Sequence, residues 1–297
     1  MFVIRSRRHA AISASQSSQR YSILAVLGFA IAFAFAWALF PAHSMADDDS
    51  WSELRPDLFG AREIHDGSAH LSLEAPYRAY DAALVPITIN ANGADGSAHA
   101  IKTITLVIDE NPVPVAAVFH LAPESGVTAL STRVRLNAYT YIRVIAEMKD
   151  GKLYMVSRFV KASGGCSAPA TKDYNQGAAG MGKMRLRQYL ESRMLGEKLG
   201  KAREVQLQIR HPNLTGFQMD EKTGGYFPAH YVEKIEISQG KKLILSVDGA
   251  ISLSEDPALR FRFTPVNKEK IQVRVVDNKK NVFSGSWDLK ESGATNM

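Results

Sequence analysis

From His70 to Leu289 the chain is divided into short apolar stretches separated by turn signals. Leu71-Ser72-Leu73-Glu74 alternates apolar and polar residues. Ile101 to Ile108 sets Ile101, Thr103, Thr105 and Val107 against Lys102, Ile104, Leu106 and Ile108. Successive side chains of a strand leave on opposite faces, so this period predicts β-strands. Further strands are predicted over 85–89, 115–121, 128–136, 141–148 and 153–160, and Lys149-Asp150-Gly151-Lys152 is a hairpin turn signal. Strands this short and closely spaced argue for an antiparallel β-sandwich rather than a parallel α/β sheet.

A second set follows over 205–209, 231–238, 242–247, 259–264, 271–276 and 282–289, with Gly224-Gly225, Gln239-Gly240 and Asp248-Gly249 between strands. It predicts a second small sandwich, unlike the first in sequence. The stretch 163–183 holds five glycines and four alanines with no apolar period, and reads as a linker or exposed loop. Apolar residues from Met184 to Leu199 recur at mixed spacings of three and four, which predicts an amphipathic helix ending near Gly200. Trp51 to Ile64 reads as a short helix or capping segment, with Ser50 as candidate N-cap and Glu53 completing a capping box. The expected organisation is an export segment over 1–46, a first sandwich over 47–162, a linker and helix over 163–200 and a second sandwich over 201–297.

Residues 1–46 contain Arg5, Arg7, Arg8 and Arg20 and no acid, followed by an almost unbroken apolar run from Tyr21 to Phe40. Pro41 ends the run, and Ser44-Met45-Ala46 offers small residues where a signal peptidase reads. This order is that of a secretory signal cleaved after Ala46. The run is also long enough to span a bilayer as an uncleaved anchor. Either way the rest of the chain is expected to be exported, most simply to a bacterial periplasm. Any contact with the membrane is expected through this segment alone.

The whole chain carries 36 Lys+Arg against 30 Asp+Glu, a net of +6. Without the four arginines of the export segment the balance is 32 against 30, a net of +2. A surplus so small gives no reason to expect a nucleic-acid partner. One cysteine, Cys166, excludes an internal disulfide framework, a Cys-based zinc site and a c-type haem motif.

Cys166 lies in Ser163-Gly164-Gly165-Cys166-Ser167-Ala168-Pro169, directly after a predicted strand. Most unpaired cysteines are buried and inert. This one sits among small residues with nothing evident to bury it, so it reads as an exposed thiol on a swinging arm whose stem is Gly164 and Gly165. A nucleophile in an enzyme needs a base held in fixed geometry, which a flexible stem does not supply. A mobile thiol suits a carrier, with cargo attached at Cys166 and presented elsewhere. A tolerated surface cysteine is the bland alternative. The histidines from His65 to His230 show no close pairing with an acid at ligand spacing, so no metal and no cofactor are expected. Phe217, Tyr226 and Phe227 flank a polar loop and are candidates for an interface.

The segment 101–166 resembles SoxY, the covalent sulfur-substrate carrier of bacterial sulfur oxidation. The matching residues are Ile104-Thr105-Leu106, Glu110-Asn111-Pro112-Val113-Pro114, Ser131-Thr132-Arg133-Val134-Arg135, Asp150-Gly151-Lys152-Leu153-Tyr154 and Gly164-Gly165-Cys166. The segment 205–289 is similar to SoxZ, its structural partner, through His211-Pro212, Thr215-Gly216, Asp220, Pro228-Ala229-His230-Tyr231-Val232 and Asp256-Pro257 before Leu259-Arg260-Phe261-Arg262-Phe263. The chain is similar to fused SoxYZ-like carriers associated with quinoprotein dehydrogenases. The resemblance implies two immunoglobulin-like sandwiches and no catalysis by the protein itself. It also implies Cys166 as the attachment point, with partner enzymes that load and unload it. In SoxY the Gly-Gly-Cys sits at a free carboxyl terminus. Here Ser167-Ala168-Pro169 follow, so a partner would receive a loop rather than a tail.

Overall fold

The period-two pattern becomes two ladders of strands. The computed structural model describes residues 50–91, 101–169, 180–189 and 202–290. The first half holds α1 (Ser50–Phe59) and strands β1 (Ile64–Asp66), β2 (Leu71–Glu74), β3 (Val85–Ala91), β4 (Ile101–Ile108), β5 (Val115–Leu121), β6 (Ala129–Val134), β7 (Thr140–Met148) and β8 (Leu153–Val160). The second holds β9 (Met184–Tyr189), β10 (Arg203–Ile209), the short pair β11 (Met219–Asp220) and β12 (Gly225–Tyr226), then β13 (Val232–Gln239), β14 (Lys242–Gly249), β15 (Ala258–Phe263), β16 (Ile271–Asp277) and β17 (Val282–Trp287). The fold is mainly β, with the two immunoglobulin-like halves expected. The export segment, residues 92–100, residues 170–179 of the Gly-rich stretch and residues 190–201 lie outside the described residues. Among the described residues no helix is long and apolar enough to cross a membrane.

The two halves share their sheets. One nine-stranded sheet runs β1-β8-β7-β4-β5-β14-β13-β16-β17, and a six-stranded sheet runs β2-β3-β6-β15-β10-β9. The halves meet at β5 against β14, with Phe119 opposite Val247, and at β6 against β15, with Leu130 opposite Phe261. Strands that pair edge to edge leave no exposed row of backbone donors and acceptors at the junction. The apolar core is correspondingly continuous. Phe119, Leu121 and Leu130 of the first half belong to one cluster with Leu245, Phe261 and Phe263 of the second. Each such side chain contributes about 1.5–3 kcal/mol by leaving water, so separating the halves would expose much of that cluster.

A smaller apolar cluster joins Trp51 of α1 to Val107, Ile145 and Leu153. The Arg143 guanidinium sits 4.7 Å from the Trp51 ring centre and pairs with Asp109 at 2.8 Å. The capping box expected at Ser50 is not the contact formed, because the Ser50 hydroxyl donates to Glu110.

The helix expected from Met184 begins instead as strand β9, antiparallel to β10. Within Met184-Arg185-Leu186-Arg187 the apolar residues are half-buried and the arginines exposed. That is a strand period, which the longer mixed spacing concealed. The remainder of the expected helix lies outside the described residues.

Candidate carrier site

Beyond β8 the chain does not leave the protein. Lys161 pairs in parallel with Arg78, and its N–H donates to the Tyr77 carbonyl at 2.8 Å. The Gly164 and Gly165 amides donate to the carbonyls of Asn137 and Leu136, each at 2.8 Å. Leu136 in turn donates to the Ala82 carbonyl at 2.8 Å. The glycines are required by geometry. Gly164 has φ +80°, a left-handed conformation that L side chains adopt at a cost. A Cβ on Gly165 would lie 2.1 Å from the Ala82 carbonyl oxygen and 2.8 Å from that of Leu136. Both residues therefore fix the segment against two neighbouring backbones, where the sequence suggested a flexible stem.

Cys166 is accordingly buried, with 0% of its surface exposed. This corrects the expectation of an exposed thiol. Small residues look in sequence like an absence of packing, but here their size lets the flanking backbone close in. The second half covers the residue as well, because the Thr215 hydroxyl donates to the Cys166 carbonyl at 2.6 Å. Thr215 is held by Gln218, whose Oε1 accepts from the Thr215 amide at 2.8 Å. Burial pushes the Cys166 thiol up to about 11, and the nearby Arg135 guanidinium opposes this only in part. The buried thiol is therefore protonated at neutral pH and is a poor nucleophile in this position.

Arg135 lies behind the arm, and its Nη1 donates to the Gly165 carbonyl at 3.2 Å. Burial lowers its pKa, with Cys166, Glu255 and Asp81 acting in the opposite direction. Asn111 ties the same region together. Its Nδ2 donates to the Arg135 carbonyl at 2.8 Å and to Ser252 Oγ at 2.9 Å, and its Oδ1 accepts from the Asn137 amide at 2.8 Å. Asn111 thus ties the segment after β6, which holds the arm, to a residue of the second half.

The sequence compares as follows with known proteins. Residues 55–166 match the family model of sulfur oxidation protein SoxY. Residues 193–288 match that of sulphur oxidation protein SoxZ. The chain is a SoxYZ-like fusion. The sulfur carrier protein SoxY from Chlorobium limicola f thiosulfatophilum is 26% identical over 38% of this chain and 94% of its own, with a TM-score of 0.32. A β-glycosidase from Bacteroides vulgatus is 11% identical over 74% of this chain and 24% of its own, with a TM-score of 0.22. A search of curated protein sequences returns no match. SoxY and SoxZ domains are those of a sulfur-oxidation carrier family, whose members work with other Sox enzymes and are generally not catalysts.

The SoxY match ends on Cys166, and the SoxZ domain supplies the hydroxyl that covers it. Arg135, Asn111 and Thr215 stand out in the sequence only as points of resemblance, and their shared position around the cysteine is visible only in the fold. Thr215→Val keeps the shape and removes the bond to the Cys166 carbonyl, worth about 1 kcal/mol, together with the one the hydroxyl accepts from the Phe217 amide. The expected result is a several-fold faster reaction of Cys166 with a thiol reagent in the folded protein, read by absorbance at fixed pH.

The SoxZ domain also gathers three titratable groups that the sequence keeps apart. His211, His230 and Asp277 are all buried. His230 Nε2 lies 2.8 Å from Asp277 Oδ2, and His211 Nε2 lies 3.6 Å from the same oxygen. The ligand atoms are close enough together to suggest a metal site. The hydrogen bonding argues against one. The Asn213 amide donates to His211 Nδ1 at 3.1 Å, which places the proton of the neutral ring on Nε2, the atom a metal would need. Asp277 is also engaged by Asn281 Nδ2 at 2.8 Å and by the amides of Lys279 and Asn281 at 2.9 Å. The cluster acts as a polar pin joining the 211–215 loop to the end of β16. Burial and the neighbouring His230 hold His211 down to about 4, so the ring stays neutral near pH 7.

Proposed function

We propose that the protein is a periplasmic carrier that holds a small sulfur-containing intermediate covalently on Cys166 and presents it to partner enzymes. The observation that carries this reading is the place of Gly164-Gly165-Cys166. It stands at the end of the SoxY match, on a segment fixed by a few hydrogen bonds rather than by a strand ladder. The buried arrangement is then the resting position, and loading requires the arm to leave it. Partners under this reading are the enzymes that load and unload the thiol, with a quinoprotein dehydrogenase system as the one to test first. Intact-mass analysis of protein purified from its native host is expected to show a sulfur-containing adduct that reductant removes. An unmodified thiol in every preparation would overturn the proposal.

Burial and a raised pKa at Cys166 also favour a second reading. In it the protein is a scaffold for a periplasmic quinoprotein dehydrogenase and the cysteine is incidental. A Cys166→Ser strain separates the two. Growth equal to that of a full deletion supports the carrier, and normal growth supports the scaffold.

A further inference from the structure

Beside the arm lies a cavity of about 200 Å³ bordered by Arg133, Arg135, Asp81, Glu255, Asp256 and Pro169. Arg133 lies in β6 and Arg135 just past its end, and both border this one cavity. Arg135 is only 1% exposed. Its Nη1 donates to Gly165, but Nε and Nη2 have no acceptor. Arg133 Nη2 donates to the Asp256 carbonyl at 3.1 Å, and its Nε likewise has no acceptor. Leaving a buried donor unmade is costly, and more so when it is charged. Three such N–H groups around one cavity mark a place where an acceptor belongs. The cavity exceeds the roughly 30 Å³ share of one water several-fold. Planar guanidinium forks match the geometry of oxyanions.

We propose that Arg133 and Arg135 form a seat for an oxidised-sulfur oxyanion, the anionic end of the group carried on Cys166. The proposal rests on the carrier reading for the identity of the anion. The chain places the seat at the cysteine, because Arg135 holds the Gly165 carbonyl and Pro169 borders the cavity. The three carboxylates at the same cavity outnumber the two guanidinium charges. Asp81 Oδ1 is engaged by the Ala83 amide at 2.7 Å and Asp256 Oδ1 by the His211 amide at 3.0 Å. Recognition therefore depends on the direction of the N–H groups rather than on a surplus of positive charge, and a free anion is held weakly. Covalent attachment to Cys166 supplies an effective concentration on the order of millimolar. A weak seat is then occupied while the arm is docked and is readily vacated when the arm leaves.

The test uses full-length protein with Cys166→Ser, which removes covalent loading, titrated with thiosulfate against sodium chloride of equal ionic strength. Calorimetry and thermal unfolding are the readouts. Thiosulfate is expected to bind in the millimolar range and to raise the unfolding temperature above the chloride control. Arg133→Gln, a partly exposed position, is expected to weaken binding about tenfold, corresponding to loss of one charge-assisted contact, with an unchanged circular dichroism spectrum. Arg135→Lys serves as a second variant that keeps the buried charge and loses the fork. Equal responses to thiosulfate and chloride, or binding unaffected by Arg133→Gln, would overturn the seat. A sulfur adduct on Cys166 in host protein together with Arg133-independent binding removes the seat and leaves the carrier. Arg133-dependent binding with Cys166 always unmodified does the reverse.

Discussion

Gly165→Ala is expected to expel Cys166 from its buried position and to raise its reactivity toward a thiol reagent at pH 8 by about 100-fold or more. The added methyl would stand 2.1 Å from the Ala82 carbonyl oxygen, which is backbone and cannot swing aside. The arm must move, and the hydrogen bonds of Gly165, Cys166 and Arg135 go with it. Burial holds the thiol at about 11 against an ordinary 9.0. At pH 8 those values correspond to thiolate fractions of about 0.001 and about 0.1, and access to the reagent adds to that ratio. Stopped-flow labelling with a disulfide reagent, on protein whose circular dichroism matches the parent, measures the effect. Gly164→Ala gives the graded comparison. No atom lies within 4 Å of a Cβ there, so only the left-handed backbone is penalised, by about 1–2 kcal/mol, or about tenfold in the open population. Labelling at the parental rate in a folded Gly165→Ala protein would show that the arm does not depend on this close approach.

The contrast between the two glycines shows how far the sequence carries. Strands such as β2 and β3 are legible because burial alternates along them, and β2 alternates buried and exposed at every residue. Local chemistry fixes that pattern. The pairing of Phe119 with Val247 is not local, and neither half alone contains a signal for it. Consequently two sandwiches can be read from the residues, whereas their shared sheets cannot. Cys166 suffers from the same limit. Its flanking residues are small in the sequence, but what surrounds it comes from the Ala82 loop, from Leu136 and from Thr215. Gly-Gly is compatible with freedom and with close approach alike, and only the neighbours decide between them. His211, His230 and Asp277 likewise meet through a carboxylate at the end of β16. The strand at Met184 is a different case, since its alternation is present in the sequence but short.

Lowering the pH from 7 to 4 is expected to remove about 3 kcal/mol of stability through His211 alone. In the unfolded chain this imidazole takes up a proton near 6.5. In the folded protein burial, reinforced by His230, resists protonation until about pH 4, although Asp277 pulls the other way. Between those values the unfolded state binds more protons, so stability falls as pH falls, by up to about 1.4 kcal/mol per unit. Asp277 extends the loss to lower pH. Burial would raise its pKa, but donors from Asn281 and His230 outweigh this and hold it at about 2. That carboxylate contributes stability above about pH 4, which is lost as pH falls toward 2. Urea unfolding at a series of pH values measures both phases. His211→Gln cannot charge, so it is expected to be less stable than the parent at pH 7 but to show a flatter dependence between pH 6.5 and 4. Parallel curves for parent and variant would exclude His211 as the source. The loop that this pin anchors runs on to Thr215, which covers Cys166. Hydrogen exchange at Asn213, Leu214 and Thr215 is therefore expected to accelerate in acid before that of the β4–β7 ladder, so that the cover over the cysteine loosens while the sheets remain intact.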